Sequence, residues 1–181
     1  ERIIGLVKSL SKYIAVLLIE HDIDRVFEFS DYITVMNAGN VLVSGTSDEI
    51  RTNKQVQIAY LGSGKALITN QSNLEHNVDP SKVKLELKNI DTFYGKSHIL
   101  NNVSLDVSKG EVVALLGRNG AGKSSTLKSI MGIAPISKGK ILFNGHEIQN
   151  MTPEQVARVG VGLVQQGRRL FSNQTVEENL K

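Results

Sequence analysis

Gly117-Arg118-Asn119-Gly120-Ala121-Gly122-Lys123-Ser124 has the spacing G-x-x-x-x-G-K-[ST]. Glycines at these positions let the backbone wrap closely, so successive N–H groups point inward at phosphate oxygens. Lys123 would neutralise charge on a β- and γ-phosphate, and Ser124 would give a hydroxyl ligand to Mg²⁺. Two elements must position such a loop. "EVVALLG" (111–117) is a continuous apolar run, expected of a strand covered on both faces. A helix over 122–131 would aim its positive N-terminal end at the anion. The bland alternative is a glycine-rich turn with a solvated lysine; the flanking strand and helix argue against it. The loop implies triphosphate binding and says nothing of hydrolysis, which needs a group to position water. The usual acidic source, four apolar residues followed by Asp-Glu, occurs nowhere in the chain.

"LLIEHDID" (17–24) is a second apolar run that ends in polar side chains, Glu20-His21-Asp22. Such a strand end can present a side chain to a nucleotide, although a lone histidine there serves structure as well as chemistry. The other histidines, at 76, 98 and 146, are too scattered for a ligand cluster, and with no cysteine there is neither a disulfide nor a thiolate metal site. The 21 basic and 18 acidic residues are interspersed, so no nucleic-acid partner is expected. No apolar run approaches the ~18 residues of a membrane span, and no signal peptide is visible.

Along the chain, a helix over 1–10 carries Ile3, Ile4, Val7 and Leu10 on one face and leads into a strand over 13–20. A short helix with Ile23, Val26 and Phe27 inward precedes a hairpin over 32–45, turned through Ala-Gly-Asn. Two short helices follow, with Thr46 and Ser47 as candidate caps. Residues 63–83 lack periodicity and read as a linker, roughly 25 Å end to end as flexible coil. "LGSGK" (61–65) faintly echoes a phosphate loop but lacks the preceding strand. Beyond it, "KLELKNIDTFYGK" and "HILNNVSLDVSKG" alternate with period two, as antiparallel strands do. A hairpin over 139–148, a helix from Thr152-Pro153 and a strand over 160–166 complete the reading. The chain opens inside a helical pattern, and Thr175 and Glu178 form a capping box just before its last residue, so a fragment of a longer protein is expected.

With these motifs in place, residues 84–181 resemble the first half of an ABC transporter ATP-binding domain, and residues 1–62 resemble the last third of another. The likeness is greatest to the paired ATPase subunits of branched-chain amino acid importers. "YGKSHIL", "GEVVALLGRNGAGKSSTLKSIMG" and "GRRLFSNQTVEENL" resemble one partner, and "LLIEHDIDRVFEFSDYITVMNAGNVLVSGTSDEI" with "AYLG" resembles the other. The fold implied is α/β: a P-loop NTPase core sheet with an antiparallel β-subdomain, incomplete in this chain.

The resemblance also implies residue roles. Tyr94 matches the aromatic that stacks on adenine; by composition alone it would be ordinary strand packing. Gln166 matches the glutamine that reaches Mg²⁺ and the attacking water, although the proline frequent before it in near relatives is Gln165 here. His21 matches the switch histidine at the γ-phosphate, and Ser125 would add a hydroxyl near the α-phosphate. Arg168 and Arg169 would face the transporter, or simply solvent. The Leu-Ser-Gly-Gly-Gln signature, the Asp-Glu strand and the D-loop are absent from the sequence.

The order, tail before head, suits a tandem fusion: a first ABC ATPase segment (1–62), a linker (63–83) and the N-terminal half of a second domain (84–181). A circular permutant is the alternative, but it has no reason to lose both the signature and the acidic strand. Having lost its own neighbours, the strand 112–117 is expected to take "LLIE" and "YITVM" as flanking strands, bringing His21 toward Lys123. The function implied is the ATP-binding and ATP-hydrolysing part of an importer, with ATP and Mg²⁺ as cofactors. Its partners would be membrane permeases, a solute-binding protein and a second ATPase domain, at the cytoplasmic face of the membrane. The 181 residues alone would be inactive in hydrolysis. The competing readings are a tandem ABC ATPase acting on ribosomes or nucleic acid, and a nucleotide-sensing module without hydrolysis. Cargo is chosen by the permeases and binding protein, so a urea or amide importer stays open, and the N-x-[ST] triplets at Asn70, Asn102 and Asn173 carry no meaning in cytosol.

Overall fold

In the computed structural model the described residues are 2–61, 72–73, 80–164, 175 and 177. Two sheets organise them. The first has the order β1-β7-β2-β3-β4, from Val16–Glu20 (β1), Tyr32–Asn37 (β2), Asn40–Gly45 (β3), Ser72–Asn73 (β4) and Val112–Leu116 (β7). The second has the order β6-β5-β8-β9, from Val83–Tyr94 (β5), Ser97–Ser108 (β6), Ile136–Phe143 (β8) and His146–Glu147 (β9). The helices are α1 (Arg2–Ser11), α2 (Ile23–Phe29), α3 (Ser47–Thr52), α4 (Lys54–Leu61), α5 (Lys123–Ile130) and α6 (Pro153–Arg158).

Strand β7 shows why its sequence is apolar throughout. It pairs in parallel with β1, Glu20 level with Leu116, and in parallel with β2, Val35 level with Leu116. Val113 and Leu115 point into a core shared with Leu87, Ile90, Leu100 and Ile141 of the second sheet. Ala114 and Leu116 point the opposite way, into a core closed by Val26, Ile50 and Val56 of α2, α3 and α4. All five residues of β7 are buried. The expectation that "LLIE" and "YITVM" flank this strand is met, and the two segments of the chain share one sheet.

Helix ends follow their side chains. Asp22 Oδ1 accepts the N–H groups of Asp24 and Arg25 and so caps α2. Glu49 returns to the N–H of Thr46 at 2.7 Å at the start of α3, and Thr152 with Gln155 forms a capping box in front of Pro153.

Two expectations fail, and one segment gains a short strand. Of the strand expected over 160–166, residues 161–164 form none: Gly160, at φ +106°, turns the chain, no neighbour among the described residues pairs with the run, and Val164 is 96% exposed, while 165–166 lie outside the described residues. The strand expected from residue 13 begins at Val16, because α1 extends to Ser11 and Tyr13 N–H is bonded to Leu10 O. Within the expected linker, Ser72–Asn73 pairs with Val43 and Ser44, adding to the open edge of β3. Leu6 and Leu10 of α1 stay exposed. The capping box at Thr175 and Glu178 lies outside the described residues, because Glu178 does.

Candidate nucleotide-binding site

The loop 117–122 joins β7 to α5. Gly117 has room for no side chain: a Cβ there would come within 2.7 Å of Met36 O and 2.8 Å of the Ala121 methyl. Gly122 caps α5 in the left-handed region, at φ +104°, with no side chain bonded to the helix end. The first helical bond runs from Thr126 N–H to Gly122 O at 2.9 Å. The preceding N–H groups, of Lys123, Ser124 and Ser125, therefore have no acceptor within the helix, which is the arrangement that receives an anion.

Lys123 is 7% exposed, and its ammonium donates to Gly117 O at 2.5 Å and to Arg118 O at 3.1 Å. Burial lowers its pKa below the usual 10.5, and the negative charge of Glu20 opposes that shift. The lysine thus closes back on its own loop and would have to leave these carbonyls to reach a phosphate.

A cavity of about 300 Å³ is lined by Asn119, Gly120, Ala121, Gly122, Lys123, Ser124 and Ser125, together with Tyr94 and Ile99. Most of the expected loop residues therefore meet Tyr94 around one space. Tyr94 ends β5 and is 44% exposed, so its ring is not ordinary core packing. Gly117 and Arg118 do not line the cavity; their carbonyls face Lys123 instead. Arg118 lies close enough to α4 for its charge to act on Tyr60, whose hydroxyl burial pushes up to about 12.

His21 does not line the cavity and its side chain is 76% exposed. It follows β1, beside the strand that carries the loop. Glu20 holds it there: Oε1 accepts the N–H of His21 at 3.0 Å and of Asp22 at 3.2 Å, and lies 3.1 Å from His21 Nδ1. Gln166, Arg168 and Arg169 lie outside the described residues. Among the described residues no group of acidic and histidine side chains is arranged to hold a metal by itself.

Three participants escaped the sequence reading. Ile99 faces the cavity, a position that only the pairing of β5 with β6 could reveal. Gly39, read as a hairpin turn, donates its N–H to Ala121 O in the loop. Glu20 was visible as an acidic residue ending an apolar strand, but its proximity to Lys123 depends on β1 and β7 being neighbours.

The comparisons with known proteins divide along the same two segments. Residues 100–181 match the family described as ABC transporter, and residues 40–66 match the branched-chain amino acid ATP-binding cassette transporter family. The high-affinity branched-chain amino acid transport ATP-binding protein BraG of Pseudomonas aeruginosa is 42% identical over 96 residues, 53% of this chain and 41% of that protein. The xylose import ATP-binding protein XylG of Thermoanaerobacter pseudethanolicus is 29% identical over 189 residues, 99% of this chain and 36% of that protein. A crystal structure of a nucleotide-free ATP-binding cassette from an ABC transporter is similar at 32% identity and a TM-score of 0.42, over 43% of this chain and 31% of that one. The chain therefore spans about two fifths of the length of these curated relatives. Residues 100–181 are thus ABC transporter ATP-binding sequence by that family's model, and residues 40–66 match the model of branched-chain amino acid ATP-binding cassette transporters.

Proposed function

We propose that this chain is part of the ATP-binding component of an ABC importer whose cargo is branched-chain amino acids. The observation that carries the reading is the phosphate loop, with a helix start that no side chain caps, and Tyr94 across one cavity. The residues present fit a nucleotide. Loop amides and the α5 amides would take the phosphates, Lys123 would neutralise them, and Tyr94 would stack on the base. Ser124 and Gln166 would hold Mg²⁺, which would supply positive charge against the phosphates. His21 would meet the terminal phosphate from the end of β1. In hydrolysis the chain's own part is to bind, orient and exclude water; an acidic strand end would come from elsewhere in a longer protein.

The match of residues 40–66 supports the cargo class, because it lies outside the loop region that ABC proteins share widely. The tandem order of 1–62, linker 63–83 and 84–181 is supported by XylG, which aligns through the junction in this same order. That alignment also favours a second reading, a sugar importer subunit. Membrane permeases, a solute-binding protein and a second ATPase domain would be the partners, with the protein peripheral at the cytoplasmic face. No described helix is long and apolar enough to cross a membrane.

The test is uptake of labelled leucine, isoleucine and valine against xylose and ribose, in cells whose full-length protein carries Lys123→Ala. Loss of branched-chain uptake alone supports the proposal. Loss of sugar uptake alone replaces it with the second reading.

A further inference from the structure

Glu20 ends β1, the strand next to the one that carries the phosphate loop. Its strand places it there: Glu20 is level with Leu116 in the parallel pairing, so the two backbones run about 4.8 Å apart where the loop begins. Gly117, the next residue, carries the carbonyl on which the Lys123 ammonium rests. The carboxylate is also fixed. Its Oε1 accepts two backbone N–H groups and lies 3.1 Å from His21 Nδ1, and the side chain is 23% exposed. Among the described residues no acidic side chain lines the cavity itself.

Resting on the nucleotide reading above, we infer that Glu20 sets the preference between di- and triphosphate, its fixed negative charge standing where a γ-phosphate would add negative charge. Without nucleotide its charge acts on Lys123 from the neighbouring strand. A diphosphate leaves that arrangement largely in place. A triphosphate brings at least one more negative charge toward the same lysine and so meets the carboxylate. At an effective dielectric of about 35–50, between a protein surface site and bulk water, one unit charge some 7–10 Å away alters affinity about threefold to tenfold.

The experiment titrates the 181-residue chain with Mg-ATP and Mg-ADP in four forms: wild type, Glu20→Gln, His21→Ala and the double variant. Glutamine keeps an oxygen for the N–H groups of His21 and Asp22 while removing the charge. The expected result is an ATP-over-ADP preference that rises about threefold to tenfold in Glu20→Gln, and by a similar factor in the His21→Ala background. A preference that is unchanged or falls in both backgrounds, with both nucleotides still bound, overturns the inference and leaves the nucleotide reading standing. A rise confined to the background that retains His21 also overturns it, because the effect would then run through the imidazole. Absence of binding by either nucleotide in every form overturns both.

Discussion

The backbone N–H of Gly39, at the tip of the β2–β3 hairpin, donates to the carbonyl of Ala121 in the phosphate loop at 3.0 Å. Asn101 N–H in turn donates to Gly39 O at 2.9 Å. A hairpin from the first segment therefore holds a loop and a strand of the second. The same hairpin supplies Met36, whose sulfur accepts from the hydroxyl of Thr126 in α5 at 3.7 Å.

Gly39 has φ +80°, and a Cβ there would lie 2.2 Å from the carbonyl oxygen of Ile99. Gly39→Ala meets both a disfavoured backbone region and a clash with backbone that cannot rotate away. It is expected to destabilise the chain by about 2–4 kcal/mol in denaturant unfolding. A loss under about 0.5 kcal/mol would mean that the hairpin tip does not press on the loop as described.

Lys123 gives a pH dependence with a definite sign. Burial lowers its folded pKa below the usual 10.5, so between that lowered value and 10.5 the unfolded chain binds more protons than the folded one. Its contribution to stability therefore rises with pH through that window. Lys123→Met should be relatively more stable than wild type at neutral pH and lose this alkaline rise. Denaturation midpoints collected up to pH 10.5 check it; parallel pH profiles for the two proteins would contradict it.

Asp91 makes the opposite case at the acid end. Its carboxylate accepts the N–H of Asn102, at φ +52°, at 2.7 Å and lies 3.2 Å from His98 Nε2. The Asn102 N–H, helped by His98 and Lys138, holds its pKa below the usual 3.8. The stability this provides is present above that usual value and is lost as pH falls through the lowered folded value. Asp91→Asn is expected to cost about 1 kcal/mol at pH 7 and to flatten the acid limb of stability. An unchanged acid limb in the variant would remove Asp91 from that account.

How much of this was legible in the sequence depends on the range of the interaction. The phosphate loop, its buried strand and its helix are contiguous, so spacing and apolar pattern revealed them. Thr46 and Thr152 announced their helices because caps act within a turn. The run 160–166 looked like a strand because it is largely apolar, but strands exist only by pairing, and no neighbour meets its described part, 160–164, among the described residues. Ile99, Gly39 and Glu20 acquire their roles from partners that are distant in sequence. The adoption of β1 and β2 by β7 was open to reasoning because a buried strand cannot leave its backbone groups bare.

The central claim is that main-chain amides from Gly117 onward grip a triphosphate on a sheet assembled from both segments of the chain. Calorimetric titration of ATP into the chain, with and without Mg²⁺ and with Lys123→Ala in parallel, tests it most directly. The expected result is saturable, Mg²⁺-dependent binding that weakens at least about tenfold in the variant, the loss of one buried charge-assisted contact. Binding that is absent from the wild type, or equal in the two proteins, would contradict it.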